Sequence, residues 1–133
     1  MAATDIAPRH ALVTGGGSGI GAAIAQALVA AGMRVTITGR RPDVLQALAA
    51  RYPGQMQAVV ADVTDEAAIA QAFAQAKAGF GPVQVLVNNA GQAHSAPFLK
   101  TDAALWQQML AVNLTGTFLC TQAALSDMLA AKW

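Results

Sequence analysis

Four short apolar runs punctuate the chain: Ala11-Leu12-Val13, Val35-Thr36-Ile37, Ala58-Val59-Val60 and Val85-Leu86-Val87. Their starts are 24, 23 and 27 residues apart. Each is too short for a helix and rich in Val and Ile, so each reads as a strand buried on both faces. The stretches between them carry helical spacing. Ile20, Ile24, Ala27, Leu28 and Ala31 predict one apolar helix stripe, closed by Gly32. Pro42 opens a second helix with Val44, Leu45 and Leu48 inward, and Tyr52-Pro53-Gly54 ends it. Thr64 is the expected N-cap of a third, which carries Ile69, Phe73 and Ala76 and has Asp65 and Glu66 suiting its dipole. Gly79-Phe80-Gly81-Pro82 breaks that helix. A last helical stretch is predicted from Thr101 to Trp133, with Leu105, Met109, Val112, Leu119 and Leu125 among its apolar members. Val83 to Val87 is expected to be the last strand of the chain.

Strand–helix alternation with such short crossovers predicts right-handed βαβ units. The expected fold is α/β with a parallel sheet, in one domain over residues 1–133. The length suits that: 133 residues can hide roughly 65–70% of the unfolded chain's surface. Alanine supplies 32 residues and charged residues only 11%, which suits small-faced helices packed closely on a sheet.

Eight Lys/Arg against seven Asp/Glu leave a net charge of +1, with no electrostatic case for nucleic acid or an anionic membrane. The segment Met1–Arg9 has no apolar stretch of the signal-peptide kind, and no apolar run approaches the ~20 residues of a membrane span. A cytoplasmic protein is expected. Two histidines and one cysteine make no metal pattern. The lone Cys120 excludes an internal disulfide and, in an apolar run, reads as a buried inert thiol. Trp106 reads as a packing residue. His10, before the first strand, and His94, in a loop, lack a partner pattern.

Candidate chemistry gathers at the strand ends. The first strand runs into Thr14-Gly15-Gly16-Gly17-Ser18-Gly19-Ile20-Gly21 and then a helix. Such a turn aims backbone N–H groups and a positive dipole end at a diphosphate, and its glycines let ligand and helix approach. A P-loop is excluded, because Ala22 and Ala23 stand where Lys and Ser or Thr would be needed. Asp62, after the third strand, can accept a hydrogen bond from an adenine amino group. Asn88 and Asn89, after the fourth, carry amides suited to tying strand ends together. Asn113 is an amide on an apolar helical stretch, where burial without partners would cost roughly 1–3 kcal/mol. The end of the second strand is Gly39, followed by Arg40 and Arg41. A carboxylate there would favour NAD, whereas guanidinium groups pair with a 2′-phosphate, so NADP(H) is the expected cofactor, with NAD(H) possible.

These motifs together resemble the short-chain dehydrogenases/reductases. The likeness rests on Thr14-Gly-x-x-x-Gly19-Ile20-Gly21, Asp62-Val63, Asn88-Asn89-Ala90-Gly91 and Asn113 within Val112-Asn113-Leu114-x-Gly116, in order from about Arg9 onward. It implies a Rossmann-type NAD(P)-binding fold, a doubly wound parallel sheet with spatial order 3-2-1-4, with Gly15, Ser18, Gly19, Ile20, Gly21, Arg40, Asp62, Val63, Asn89, Ala90 and Gly91 at the cofactor. It implies that Asn113 holds a water in the proton path to a catalytic lysine. It further implies an oxidoreductase acting on a small-molecule carbonyl or secondary alcohol, such as a 3-oxoacyl or 3-hydroxyacyl thioester, in a homo-oligomer. The family's catalytic Ser and Tyr-x-x-x-Lys have no match here, since Met56 stands four residues after the single Tyr52. The expectation is therefore the N-terminal half of a dehydrogenase subunit, or alternatively a non-catalytic dinucleotide-binding module.

Overall fold

The computed structural model describes residues 8–133. The expectation drawn from Met1–Arg9 falls mostly on residues 1–7, outside the described residues. The elements are β1 (His10–Thr14), α1 (Gly19–Ala30), β2 (Arg34–Gly39), α2 (Pro42–Ala49), β3 (Met56–Val60), α3 (Glu66–Phe80) and β4 (Val85–Val87). A 3-10 turn (Phe98–Lys100), α4 (Ala103–Leu110), a π turn (Ala111–Thr115) and α5 (Gly116–Ala131) follow. The four strands are parallel in the order β3-β2-β1-β4, the order that the family resemblance implies.

The sheet is wound on both faces. Ala11, Val13, Val35, Ile37 and Met56 pack against Ala25 and Val29 of α1 and Leu45 and Leu48 of α2. On the other face Leu12 meets Ala76 of α3, Val83, Phe73 and Leu86, while Val59 meets Ala72. Every residue of β1 is buried, as a central parallel strand requires. Cys120 is buried, and desolvation pushes its thiol up to about 11.

Several sequence expectations shift. The buried stripe of α1 is Gly21, Ala25 and Val29, one position out of phase with the expected one, because these smaller residues bring the helix closer to the sheet. Ile20 is instead 75% exposed. Asp65, not Thr64, caps α3: its Oδ1 accepts from the Ala68 N–H at 3.1 Å, while Thr64 turns back to Asp62. The β4 ladder begins at Val85, although Val83 is buried beneath it. His10 is the first residue of β1 and not a residue before it. Trp106 and Leu125 lie on the outer side of the last helices, 58% and 46% exposed, so neither is a core residue of the described fold.

The last helical stretch is not one regular helix. Asp102 caps α4 by accepting from the Leu105 N–H at 2.8 Å, and five residues of wider π geometry join α4 to α5. By length and composition Ala103–Ala131 is apolar enough to cross a bilayer, contrary to the expectation that nothing in the chain approaches that length. Gly116, Cys120 and Ala124 are buried against the fold and Asp127 pairs with Lys77 of α3 at 3.1 Å, while Trp106, Leu114, Phe118, Leu125 and Leu129 are exposed.

Candidate nucleotide site

The carboxyl ends of β1 to β4 open into a cavity of about 430 Å³. Gly15, Ser18, Ile20, Arg40, Asp62, Val63, Asn89, Ala90 and Gly91 all line it. They come from four separate loops, brought together because the strand order reverses between β1 and β4 at this end. Gly19 and Gly21 do not line the cavity; they shape the turn beneath it. Gly19 sits at φ +56°, which a side-chain-bearing residue adopts only with strain. Gly21 lies where α1 crosses the strand end, and a Cβ there would collide with the Gly15 carbonyl oxygen and the Asn89 amide.

Thr14 and Asn89 build the floor. The Thr14 hydroxyl accepts the N–H groups of Asn89 and Ala90, both at 3.0 Å, and the Asn89 side-chain amide donates to the carbonyls of Thr14 and Gly15 at 3.1 Å. This is the strand-end tie expected of the paired asparagines. Asn88 instead donates to Thr121 of α5 at 3.1 Å. Above the floor, Ser18 stands at the N-cap of α1 with its side chain making no cap bond. The first-turn N–H groups thus keep a free positive end toward the cavity.

Charge is distributed along the rim. Asp62 Oδ1 accepts from the Thr64 N–H at 2.9 Å and from its hydroxyl at 2.7 Å. Those bonds, the backbone one first, with Arg40 nearby, hold the Asp62 carboxyl below its usual range. Arg40 and Arg41 also border a second chamber of about 250 Å³, shared with Gly15, Ser18 and Gly39 and walled by Val44 and Leu45. No carboxylate lines either chamber at the end of β2.

Asn113 does not line the cavity and is not buried, contrary to the sequence reading of a buried amide. It stands on the π turn and brackets the Gln92 peptide: Oδ1 accepts the Gln92 N–H at 3.0 Å and Nδ2 donates to the Gln92 carbonyl at 2.8 Å. Gln92 and Val112 also line the cavity. Sequence reasoning missed Gln92, and nothing in its neighbourhood along the chain marks it. His94 is exposed in the loop beyond.

A glycine turn feeding an uncapped helix, an open cleft at a strand-order reversal and a basic rim define a dinucleotide-binding α/β domain. The match to known proteins is more particular: the chain belongs to the short chain dehydrogenase family, whose model covers residues 9–133. It is 39% identical over 126 residues to a 3-oxoacyl-[acyl-carrier-protein] reductase of Aquifex aeolicus, covering 92% of this chain and 51% of that protein. An NADP-dependent (R)-specific alcohol dehydrogenase of Lentilactobacillus kefiri is 41% identical over 120 residues, which are 89% of this chain and 48% of that one. Among solved structures, a blue fluorescent protein from a metagenomic library in complex with NADPH superposes with TM-score 0.87 at 34% identity, over 92% of this chain and 52% of that one. The chain spans about half the length of the curated relatives it matches.

Proposed function

We propose that this chain is the cofactor-binding part of an NADP(H)-dependent oxidoreductase acting on a carbonyl or secondary alcohol. In this reading Gly15, Ser18, Gly19, Ile20, Gly21, Arg40, Asp62, Val63, Asn89, Ala90 and Gly91 hold the dinucleotide. The observation that carries it is the pair Arg40 and Arg41 between the main cavity and its side chamber, with no carboxylate at the end of β2; Asp62, the acidic residue of the main cavity, follows β3. A guanidinium fork fits a 2′-phosphate, and the side chamber gives that phosphate room. The turn fits a diphosphate by its uncapped helix end, and Gly21 lets that helix approach the strand end so closely that any Cβ there would collide with the Gly15 carbonyl. Support comes also from a relative named for NADP dependence and from a neighbour solved with NADPH.

The cofactor would supply the hydride. Asn113, by fixing the Gln92 peptide, positions the loop beside it; a water held there as part of a proton path belongs to this proposal. We assign a 3-oxoacyl or 3-hydroxyacyl thioester as the substrate class, on the likeness to a 3-oxoacyl-[acyl-carrier-protein] reductase. The outer side of α4 and α5, where Trp106, Leu114, Phe118 and Leu129 are exposed, is the face we assign to self-association. The test of the cofactor reading is titration with NADPH and NADH followed by nicotinamide fluorescence. NADPH binds more tightly, and Arg40→Asp reverses the order by removing an attraction and adding a repulsion. Unchanged relative affinities in that variant would sink it.

One observation favours a second reading, a module that binds dinucleotide without turnover. The single tyrosine, Tyr52, lies in the turn after α2 and donates its hydroxyl to Gln26 at 3.0 Å, away from the strand ends. Among the described residues that line the cavity there is no tyrosine or lysine to protonate an alkoxide, a step worth typically 10²–10⁴-fold. On this reading the 133-residue chain oxidises NADPH with ketones or 3-oxoacyl thioesters no faster than a Gly19→Asp control. Turnover above that control removes the reading.

A further inference from the structure

Gln92 and Arg40 meet across the mouth of the cavity. Arg40 follows β2 and Gln92 follows β4, so their contact bridges over the end of β1, which lies between those strands. The Gln92 peptide is fixed by both amide atoms of Asn113. Its side-chain amide lies between two partners, the Gln108 amide on one side and the Arg40 guanidinium on the other. A guanidinium carries only N–H donors, so the group facing it must be the Gln92 oxygen. In that orientation the oxygen accepts from Arg40 Nη2 at 2.6 Å and from Nη1 at 3.2 Å. The Gln92 nitrogen then faces the Gln108 amide at 3.2 Å, which can turn its own oxygen to accept.

The contact therefore takes one N–H of each terminal nitrogen of Arg40, the end-on pair, and leaves the outer N–H groups and Nε–H free. The end-on pair is one of the two forks by which a guanidinium can engage a phosphate. Gln92 is also a prepared competitor: its backbone is pinned by the π turn and its side chain is steadied by Gln108, so little ordering is required to keep it in place.

We propose that Gln92 is a specificity-determining residue of the nucleotide site: it holds the end-on fork of the Arg40 guanidinium that a 2′-phosphate would use, and so limits discrimination between phosphorylated and unphosphorylated adenosine. Specificity is a difference between two binding free energies. A 2′-phosphate gains the end-on fork of Arg40 only by displacing Gln92, and otherwise has only the side-on edge, whereas an adenosine without that phosphate makes no such claim. The cost falls on one ligand of the pair. The proposal rests on the reading of Arg40 as the phosphate-binding residue given above.

The experiment is calorimetric titration of the full chain with adenosine 2′,5′-bisphosphate and with 5′-AMP. Gln92→Ala is expected to raise the bisphosphate-to-AMP affinity ratio about three- to tenfold, the gain falling on the bisphosphate; a charge-assisted bond at a partly solvated rim supports no more. Gln92→Glu shifts the ratio the other way, because a carboxylate grips the guanidinium harder and repels the phosphate. In an Arg40→Ala background, Gln92→Ala leaves the ratio unchanged. An unchanged ratio for Gln92→Ala in a chain that does prefer the bisphosphate overturns the inference, as does the same gain without Arg40. A wild-type chain that binds both ligands equally fails the Arg40 reading itself, so the two failures are told apart.

Discussion

Polar side chains at the two ends of the sheet are used in opposite ways. At the amino end they satisfy one another. Gln57 donates to the Thr36 hydroxyl at 2.8 Å and to the Ala76 carbonyl at 3.0 Å. Thr36 in turn donates to His10 Nε2 at 2.6 Å, and His10 Nδ1 donates to the Gly81 carbonyl at 2.8 Å. The chain of donors fixes the neutral Nδ1–H tautomer, and Phe80 stands edge-on to the ring at 5.5 Å. Two residues further along β2 on the same face, the buried Thr38 hydroxyl has no partner. Beyond it, the carboxyl end presents the uncapped α1 terminus, Asp62 and two arginines to an open cleft. A closed network contributes stability; an open one leaves donors and acceptors for a ligand. The comparison predicts that substitutions at the amino end damage the fold, and that those on the open rim damage binding.

The floor beneath the cleft is where both effects coincide, so the largest change is expected there. Gly21→Val puts a branched side chain into the Gly15 carbonyl and the Asn89 amide, which tie β1 to β4. Backbone cannot yield as a flexible side chain would, so urea unfolding should show a loss of about 3 kcal/mol or more. Nucleotide affinity should vanish with it. Gly19→Ala is the control: its Cβ meets nothing within 4 Å, and only the φ of +56° opposes it. That costs ~1–2 kcal/mol. Equal losses in the two variants would show that close approach of helix and strand is not what the turn requires.

At the amino end, His10→Leu leaves the Gly81 carbonyl without its side-chain donor and the Thr36 hydroxyl with only its bond from Gln57, a loss of about 2 kcal/mol in urea unfolding with nucleotide affinity retained. The pH dependence sharpens this. Burial, opposed by the Gly81 bond and aided by Arg34, lowers the His10 pKa below 6.5 in the folded chain. The unfolded chain binds a proton near 6.5 that the folded one resists. This residue's contribution is therefore complete above that value and is lost as pH falls from it toward the folded pKa. Stability should drop as pH falls below about 6.5, and His10→Leu should flatten that drop. An equal drop in the variant would assign the effect to other groups.

Much of this was legible in the sequence, and the omissions have physical causes. Apolar runs of Val and Ile mark strands buried on both faces, so the four parallel strands follow from the alternation, while their order came with the motifs that resemble the family. The glycine turn, Asp62 and Asn89 are local patterns tied to one strand end each. The phase of α1 was not readable, because Gly21 and Ala25 face the sheet through smallness while the bulkier Ile20 faces the cavity. Thr64 and Asp65 are both good caps in isolation, and only the bond from Thr64 to Asp62 decides between them. A π turn has no periodic signal strong enough to stand out in an apolar helix. The His10 network depends on Gly81, 71 residues away, and the role of Gln92 on Arg40, a neighbour only in the folded chain.

The smallest effect is expected at Asp62, which tests the open end from its least buried side. Its carboxylate bonds only the neighbouring Thr64, so Asp62→Ala should cost under ~1 kcal/mol in urea unfolding, less than half the loss at His10. If Asp62 accepts from an adenine amino group, the same variant should weaken 5′-AMP binding roughly three- to fivefold. Asp62→Asn separates the two roles from mere charge, because an amide oxygen can still accept from both Thr64 and adenine; it should recover most of the affinity. A loss with Asn as large as with Ala would mean that negative charge, not an acceptor, is what the site uses. A fold loss at Asp62 equal to that at His10 would remove the distinction between the two ends of the sheet.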